Sequence, residues 1–463
     1  MALIGREQEM AALSRYYEEG EGVVVVYGER LLGKESLIRT FLKGRESFYL
    51  HALPLSAPAQ SAIWIRELAK LGINVPKGGD FTMLFRTIAS SVKSRGVLVI
   101  ADFEHLFRTS GPKFAQEFFE ALKEALKDRK LMVLLVSSSQ SFVENRLLET
   151  LASQENLVSG ILKVKPLDFS RLLSWFSDSP YSIEELLRLY GILGGYPGAW
   201  AIFGKTLPFK EALQQAFFME TSPLAHPEDI FLTPYLREMA VYNTLLELMA
   251  APKESETHFV GRKLNDIFEH TGYPRAKILV YIKNLTYIGA VEKLRSLPVS
   301  EDLQIKAVYR FANPMLRFFY TFLFGCEQDL ELLFKKCLKE LPAFSRDGYR
   351  IACEEYLKAC SRAGALPVVL SQVGGWVGKT GSLDLLGRSA EEVYLSAMIS
   401  ADPEGFSESR LNYFLLSLQK ARIAPAFIYL FSLHGYSPEV IERLSGIEGI
   451  YLMDESIWQK KSS

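Results

Sequence analysis

The sequence predicts an α/β protein built on a parallel sheet, with helical and mixed units following it. Three observations carry this reading. In the first third, short apolar runs alternate with amphipathic helical stretches. Those runs are apolar throughout, as in strands covered on both faces by crossover helices. At 463 residues the chain is also too long for one ordinary core. The composition, 48% hydrophobic and 23% charged, excludes a disordered chain. Lysine plus arginine (53) nearly balances aspartate plus glutamate (54). Any nucleic-acid contact therefore needs a local basic patch, because the whole-molecule field is weak.

Val23–Tyr27 reads as the first strand and 36–42 as part of the helix after it. Residues 47–50, 97–100 and 131–136 read as further buried strands. The stretch 113–127 is an amphipathic helix with Phe114, Phe118, Leu122 and Leu126 on one face. From Pro166 the pattern is mainly helical (169–176, 183–193, 210–218), broken at 193–200 by LGGYPGAW. Three helical stretches after Pro234 lead into a hairpin through 291–294 and 307–311, which is the winged-helix plan. An aromatic helix, 315–324, comes next. Beyond Gly348 the order is helix 351–363, strands 368–371, 382–386 and 393–399, helix 409–422, then strands 426–431 and 450–453. The boundaries that result are 1–165 for the sheet core, 166–233 for a helical lid, 234–325 for the winged helix, 326–347 for a helical linker and 348–463 for a last α/β domain.

The N-terminus MALIGREQEM lacks an apolar leader and every apolar run is strand-length, so a soluble, cytoplasmic chain that spans no membrane is expected. Cys326, Cys337, Cys353 and Cys360 form no Cys-x-x-Cys pair and have no paired histidines nearby. They read as reduced, mostly buried thiols, and no zinc site is expected.

Residues 28–34 read G-E-R-L-L-G-K, between a predicted strand and a predicted helix. Such a turn aims successive backbone N–H groups inward, the helix N-terminus adds its dipole, and the lysine brings a cation to the terminal phosphates. Gly28, Glu29, Arg30, Leu31, Leu32, Gly33, Lys34, Glu35 and Ser36 are therefore the candidate nucleotide-binding residues, with ATP or ADP as the expected cofactor. A hydroxyl that binds magnesium normally follows the lysine, and here Glu35 stands instead. Its carboxylate is expected to crowd the phosphate oxygens, and Ser36 lies about 100° further round the helix. Magnesium binding is thus expected to be weakened or altered, and no metal ligand set is assigned.

VLVIADFEHL, residues 97–106, offers two acids, Asp102 and Glu104. A strand end that activates water on a metal-bound nucleotide carries two adjacent ones. If Ile100 ends the strand, Ala101 takes the metal position and Asp102 the water-activating one. If the register shifts by one, Asp102 serves the metal and Phe103 takes the base position. A third polar strand end, Ser137 to Ser139, makes Ser138 a candidate to contact the γ-phosphate or the attacking water.

Taken in order, these segments resemble the archaeal-type ATPases of the AAA superfamily, close to signalling ATPases that fuse a P-loop core to a winged helix. IGREQEMAAL resembles the family's Gly-Arg-x-x-Glu segment, VYGERLLGKESLI its Walker A, VLVIADFEHL its Walker B and LLVSSSQSF its sensor strand. VKPLDF, LGGYP and YRFANPMLRFFY resemble later landmarks, so the likeness covers nearly the whole chain. It implies an ATP-binding fold, while Glu35 and the Ala101–Asp102 pair depart from the pattern at the positions hydrolysis uses.

The resemblance also implies a restriction-endonuclease-like C-terminal domain. That core needs a helical acid, matched by Glu354, a strand aspartate, matched by Asp384, and Glu-x-Lys on the next strand, where Ser396 and Met398 stand instead. An inactive, structural domain is expected. In the winged helix, Arg275, Lys277 and Lys283 on the second helix of its pair and Lys293, Arg295, Lys306 and Arg310 on the hairpin suit double-stranded DNA. Leu279, Ile282 and Leu285 are expected on that helix's buried side. DNA contact and a packing role both remain open, as do a homo-oligomer and a protein partner.

Overall fold

The computed structural model describes residues 4–20, 22–76, 78–108, 112–127, 131–152, 157–250, 261–295, 297, 307–326, 329–377 and 382–459. The chain divides into two compact units, Met1–Pro166 and Leu167–Ser463.

The first unit holds five parallel strands: β1 (Val23–Tyr27), β2 (Glu46–His51), β3 (Gly96–Ala101), β4 (Leu131–Ser137) and β5 (Val158–Lys163). Their order across the sheet is β2-β3-β4-β1-β5. Every residue of β1, β3 and β4 is buried, which is why their sequences carry no polar alternation. β5 was not anticipated. It is a half-buried edge strand of sequence VSGILK, too mixed to stand out. A Cβ at Gly160 would lie 2.3 Å from the Tyr16 ring of helix Glu7–Glu19, so a larger residue there would displace that ring. Aromatic packing secures the segment after β3: Phe107 lies 5.9 Å from Phe103 and 5.6 Å from Phe118, ring centre to ring centre. Because β4 sits between β1 and β3, the C-terminal ends of these three strands line up side by side.

The second unit begins with helices between 169 and 231 and continues with Met239–Ala250, Leu264–Thr271 and Arg275–Tyr287. The hairpin of β6 (Val291–Arg295) and β7 (Ala307–Phe311) follows, with Arg262 bridging to Tyr309 alongside it. Helix Arg275–Tyr287 buries Ile278, Ile282 and Leu285, whereas Leu279 is 46% exposed. The expectation for Leu279 is corrected: the inward stripe steps by four and then three residues from Ile278.

The C-terminal sheet has the order β12-β11-β10-β9-β8. β8 (Gln372–Val377), β9 (Ser382–Arg388) and β10 (Tyr394–Ser400) run antiparallel, while β11 (Phe427–Ser432) and β12 (Ile450–Met453) lie parallel to β10. The strand expected at 368–371 is corrected to Gln372–Val377. Val369 is 72% exposed, and pairing with β9 begins at Gln372. The β-branched pair after Pro367 supplied the local signal but has no neighbouring strand to pair with.

Two features hold the second unit together. Helices Ile183–Leu193 and Arg346–Arg362 meet at glycines: a Cβ on Gly348 would lie 2.5 Å from the Gly191 backbone. Beside that contact the buried Asp347 faces three arginines, Arg350 at 2.9 Å, Arg310 at 3.5 Å and Arg317 at 3.9 Å. Burial opposes its charge, yet the guanidiniums hold its carboxyl well below the usual range. About two turns further on, Glu355 accepts from the Tyr190 hydroxyl (2.6 Å) and the Phe169 amide (2.9 Å). There burial prevails and pushes its carboxyl up to about 7.

The two acids generate opposite expectations. Asp347→Ala leaves buried guanidiniums without their anion and should lower the unfolding free energy in urea by about 3–5 kcal/mol. The native contribution of Asp347 is present above the ordinary aspartate value near 3.8 and fades as pH falls below it. Glu355 behaves inversely: stability should decline as pH rises from about 4.5 to about 7. In Glu355→Gln, urea titrations across this window should show that decline removed.

Candidate nucleotide site

β1 ends at Tyr27, and the chain turns through residues 28–33 into helix Lys34–Phe41. The Gly28 amide donates to Ser137 O (3.3 Å), and the Val164 amide donates to Tyr27 O (2.7 Å). These bonds pin the start of the turn between β4 and the end of β5. Gly28 has φ +156°, and a Cβ would sit 2.4 Å from Val164 O, so no other residue fits. Gly33, at φ +84°, caps the helix, and Leu31 takes φ +61°, a strained value for a residue with a side chain. Arg6, only 2% exposed, steadies the far side of the loop. Its Nη2 donates to Leu32 O (2.8 Å) while its Nη1 pairs with Glu9 (2.9 Å). Those two contacts give a physical role to the Gly-Arg-x-x-Glu segment.

Lys34 is 7% exposed and folds back over the loop, its Nζ donating to Gly28 O (2.8 Å) and Glu29 O (2.7 Å). Burial pushes its amine down to about 8, against the pull of Glu104 and Asp102. Glu35 is 66% exposed and pairs with Arg39 at 2.7 Å, one helical turn on. Its carboxylate is held outward, so the crowding expected from it is corrected: position 35 projects from the solvent side of the helix.

β3 ends at Ala101, the second of the two registers considered, with Asp102 just beyond it at φ +50°. Asp102 Oδ2 meets His51 Nε2 at 2.7 Å, and its Oδ1 accepts from Ser138 Oγ at 3.2 Å. Burial tends to raise this carboxyl, but the His51 bond and charge outweigh it and hold the group below its usual value. The same bond raises His51. Glu104 is 3% exposed, and its Oε1 accepts from the Ser138 amide at 3.1 Å. Its Oε2 is buried, with the Ser137 hydroxyl nearby. Burial, then Asp102, raises the Glu104 carboxyl. Glu104 and Asp102 are the acids whose charges bear most on Lys34. Lys34, Asp102, Glu104 and Ser138 are thus brought together. His51 was not foreseen, because its place beside Ala101 depends on β2 pairing with β3.

Comparison with known proteins bears on this arrangement. Residues 3–201 match a family described as an ATPase domain predominantly from Archaea. Over those residues the chain is similar to archaeal-type ATPase domains. An uncharacterized protein of Methanocaldococcus jannaschii is 22% identical over 388 residues, 83% of each chain. Among solved structures, the Walker-type ATPase of Pyrococcus abyssi is 17% identical with a TM-score of 0.48, covering 69% of this chain and 96% of that one. The ORC2 protein of Aeropyrum pernix, solved as ADPNP–ADP complexes, is 14% identical with a TM-score of 0.48, covering 73% and 96%.

Outside the ATPase sheet, the other candidate residues are dispersed. Arg275, Lys277 and Lys283 are exposed on helix Arg275–Tyr287, with Arg275 over Phe268 and Lys277 over Tyr273, each 5.0 Å from the ring centre. Lys293 lies 5.9 Å from the centre of the Tyr309 ring. The side chain of Arg295, and Lys306 altogether, lie outside the described residues. Arg310 is corrected as a DNA candidate: it turns inward to Glu292 (2.6 Å) and Asp347 (3.5 Å). Glu354 is engaged by Arg350 (2.9 Å) and Lys358 (2.5 Å). Asp384 accepts from the Ile399 amide (3.0 Å) and lines a cavity of about 400 Å³ with Arg346, Met398, Asp402 and Arg410. Glu354 is not part of that lining. Ser396 is fully buried and donates to Leu385 O. Among the described residues, no three metal-ligating side chains cluster and no helix is long and apolar enough to cross a membrane. Cys337 and Cys353 are buried, Cys360 is half-buried and Cys326 is exposed.

The His51–Asp102 pair generates a titration signature. In an NMR titration His51 should lose its proton above the ordinary value of 6.5, and Asp102→Asn should bring it back toward that value. The charged pair is complete below 6.5 and is lost as pH rises through the raised value.

Proposed function

We propose that the ATPase domain binds ATP or ADP at residues 28–36 and turns it over slowly, serving as a nucleotide-responsive regulatory protein. The observation that supports this best is the loop itself. A glycine-built turn held by Arg6, Ser137 and Val164 leads into a helix N-terminus, with Lys34 buried beneath it and Glu35 directed away. A polyphosphate would take over the hydrogen bonds that Lys34 now gives to loop carbonyls, adding charge where there is only dipole. Slow turnover follows from the acids. With the strand ending at Ala101 the base position falls on Phe103, and both oxygens of Asp102 are occupied by His51 and Ser138. Fast magnesium-dependent hydrolysis would instead require Asp102 to leave His51.

For the second unit we propose the division into lid, winged helix, linker and nuclease-like domain at the boundaries read from the sequence. Arg275, Lys277 and Lys283, all exposed on helix Arg275–Tyr287, support double-stranded DNA as a partner of the winged helix. The last domain is proposed to be catalytically inactive: Met398 lines the cavity of Asp384, and Glu354 is neutralised elsewhere.

Calorimetry tests the nucleotide reading. ADP and ATP should bind in the micromolar-to-millimolar range, and Lys34→Ala should weaken binding about tenfold or more. Because the free lysine titrates at about 8, affinity should fall as pH rises through that value, with proton uptake on binding. Absence of binding, or a Lys34→Ala variant indistinguishable from wild type, would leave only a scaffold.

A further inference from the structure

Helix Arg275–Tyr287 carries apolar residues on two faces, one buried and one exposed. Ile278, Ile282 and Leu285 form the buried stripe. On the opposite side Ala276, Leu279, Val280, Lys283 and Tyr287 follow the same helical spacing, and all five are exposed. Val280 is 55% exposed and Leu279 46%, side by side on the surface. Bulky apolar groups in a row on an outer face mark a surface that meets a partner. The charges around them indicate what kind. The helix contains no acidic residue. At about 100° per residue, Arg275 and Lys277 stand on the two flanks of the stripe, and Lys283 lies within it. Ring contacts hold the flanking cations in place, Arg275 over Phe268 and Lys277 over Tyr273, each 5.0 Å from the ring centre. The acid Glu238 accepts from the Tyr281 hydroxyl on the side away from the stripe. An apolar strip between two positive flanks matches the major groove, where base edges lie between two phosphate backbones. The apolar group that a base edge presents there is the C5-methyl of thymine.

We propose that Leu279 and Val280 are specificity-determining residues that select thymine in duplex DNA by packing on its methyl group, while Arg275 and Lys277 hold the flanking phosphates. The inference rests on the reading of double-stranded DNA as the partner of the winged helix, and it names what that helix reads. Neither side chain has a hydrogen-bonding group, so their selection works through methyl contact alone. Lys283, within the same stripe, is the one exposed donor placed to reach a base edge beside them. The two roles separate physically. Contacts from the flanks are electrostatic and indifferent to sequence, whereas contacts from the stripe depend on which base carries a methyl.

The test uses the full chain and three duplexes of one length: alternating A·T, the same with deoxyuridine in place of every thymine, and alternating G·C. Deoxyuridine removes the methyl and leaves the hydrogen-bonding edge unchanged. Affinities are measured by fluorescence anisotropy at fixed salt. Wild type should bind the thymine duplex about tenfold more tightly than the uracil duplex. In the double variant Leu279→Ser, Val280→Ser that ratio should fall to about one, with affinity for the G·C duplex retained. Lys277→Ala should instead weaken all three duplexes alike and lower the salt slope by about one. Both positions of the double variant are exposed, and thermal melts establish that each variant is folded. A wild type that binds the thymine and uracil duplexes equally, or a double variant that keeps the ratio, overturns thymine selection while leaving the DNA reading standing. A wild type that binds none of the three at low salt overturns both.

Discussion

The buried ammonium of Lys34 is the interaction on which the ATPase site depends. A lysine placed 7% exposed at the edge of a sheet is costly unless oxygen atoms surround it. The loop meets that demand with two of its own carbonyls, which requires the chain to curl tightly enough to present them. The curl in turn requires Gly28 against Val164 and Gly33 at the helix cap. Arg6 holds the opposite wall through Leu32 O, so an N-terminal residue far away in sequence helps to shape the same turn. Each of these features serves one electrostatic end, a cation kept in low dielectric and opposed only by dipoles and nearby acids. An incoming polyphosphate meets it already in place.

The acids beside this lysine divide between solvent and site. Glu35 faces water, whereas Glu104 and Asp102 provide the field that steadies the Lys34 cation. Their division of labour comes from their surroundings. Asp102 stands where a histidine from β2 reaches it and remains ionised, whereas Glu104 is enclosed and its carboxyl is raised. Ser138, at the end of the intervening strand, touches both. The insertion of β4 between β1 and β3 is what makes this contact possible.

In the second unit the same principle works toward stability. Asp347 draws Arg310 from the hairpin, Arg317 from the aromatic helix and Arg350 from its own helix onto one carboxylate. Arg310 therefore serves cohesion, although on the sequence alone it counts among the basic residues of a wing. The Gly191–Gly348 approach works alongside it, letting two helices come close enough for Tyr190 to reach Glu355.

The sequence by itself determined the elements whose signal is local. β1, β3 and β4 are legible because strands buried on both faces must be apolar throughout, and the loop at 28–34 because its glycines and lysine are adjacent in the chain. The convergence of Asp102, Glu104 and Ser138 was legible as strand ends, without their partners. Only the tertiary structure decided which oxygen faces what: that His51 takes Asp102, that Glu104 is enclosed, that Glu35 turns outward and that Arg310 turns inward. It also decided the edge strand β5, whose mixed composition has no period to read. Periodicity and adjacency are properties of the chain. The pairing of charges and the exposure of a side chain depend on strand order and helix packing, where residues many positions apart become neighbours.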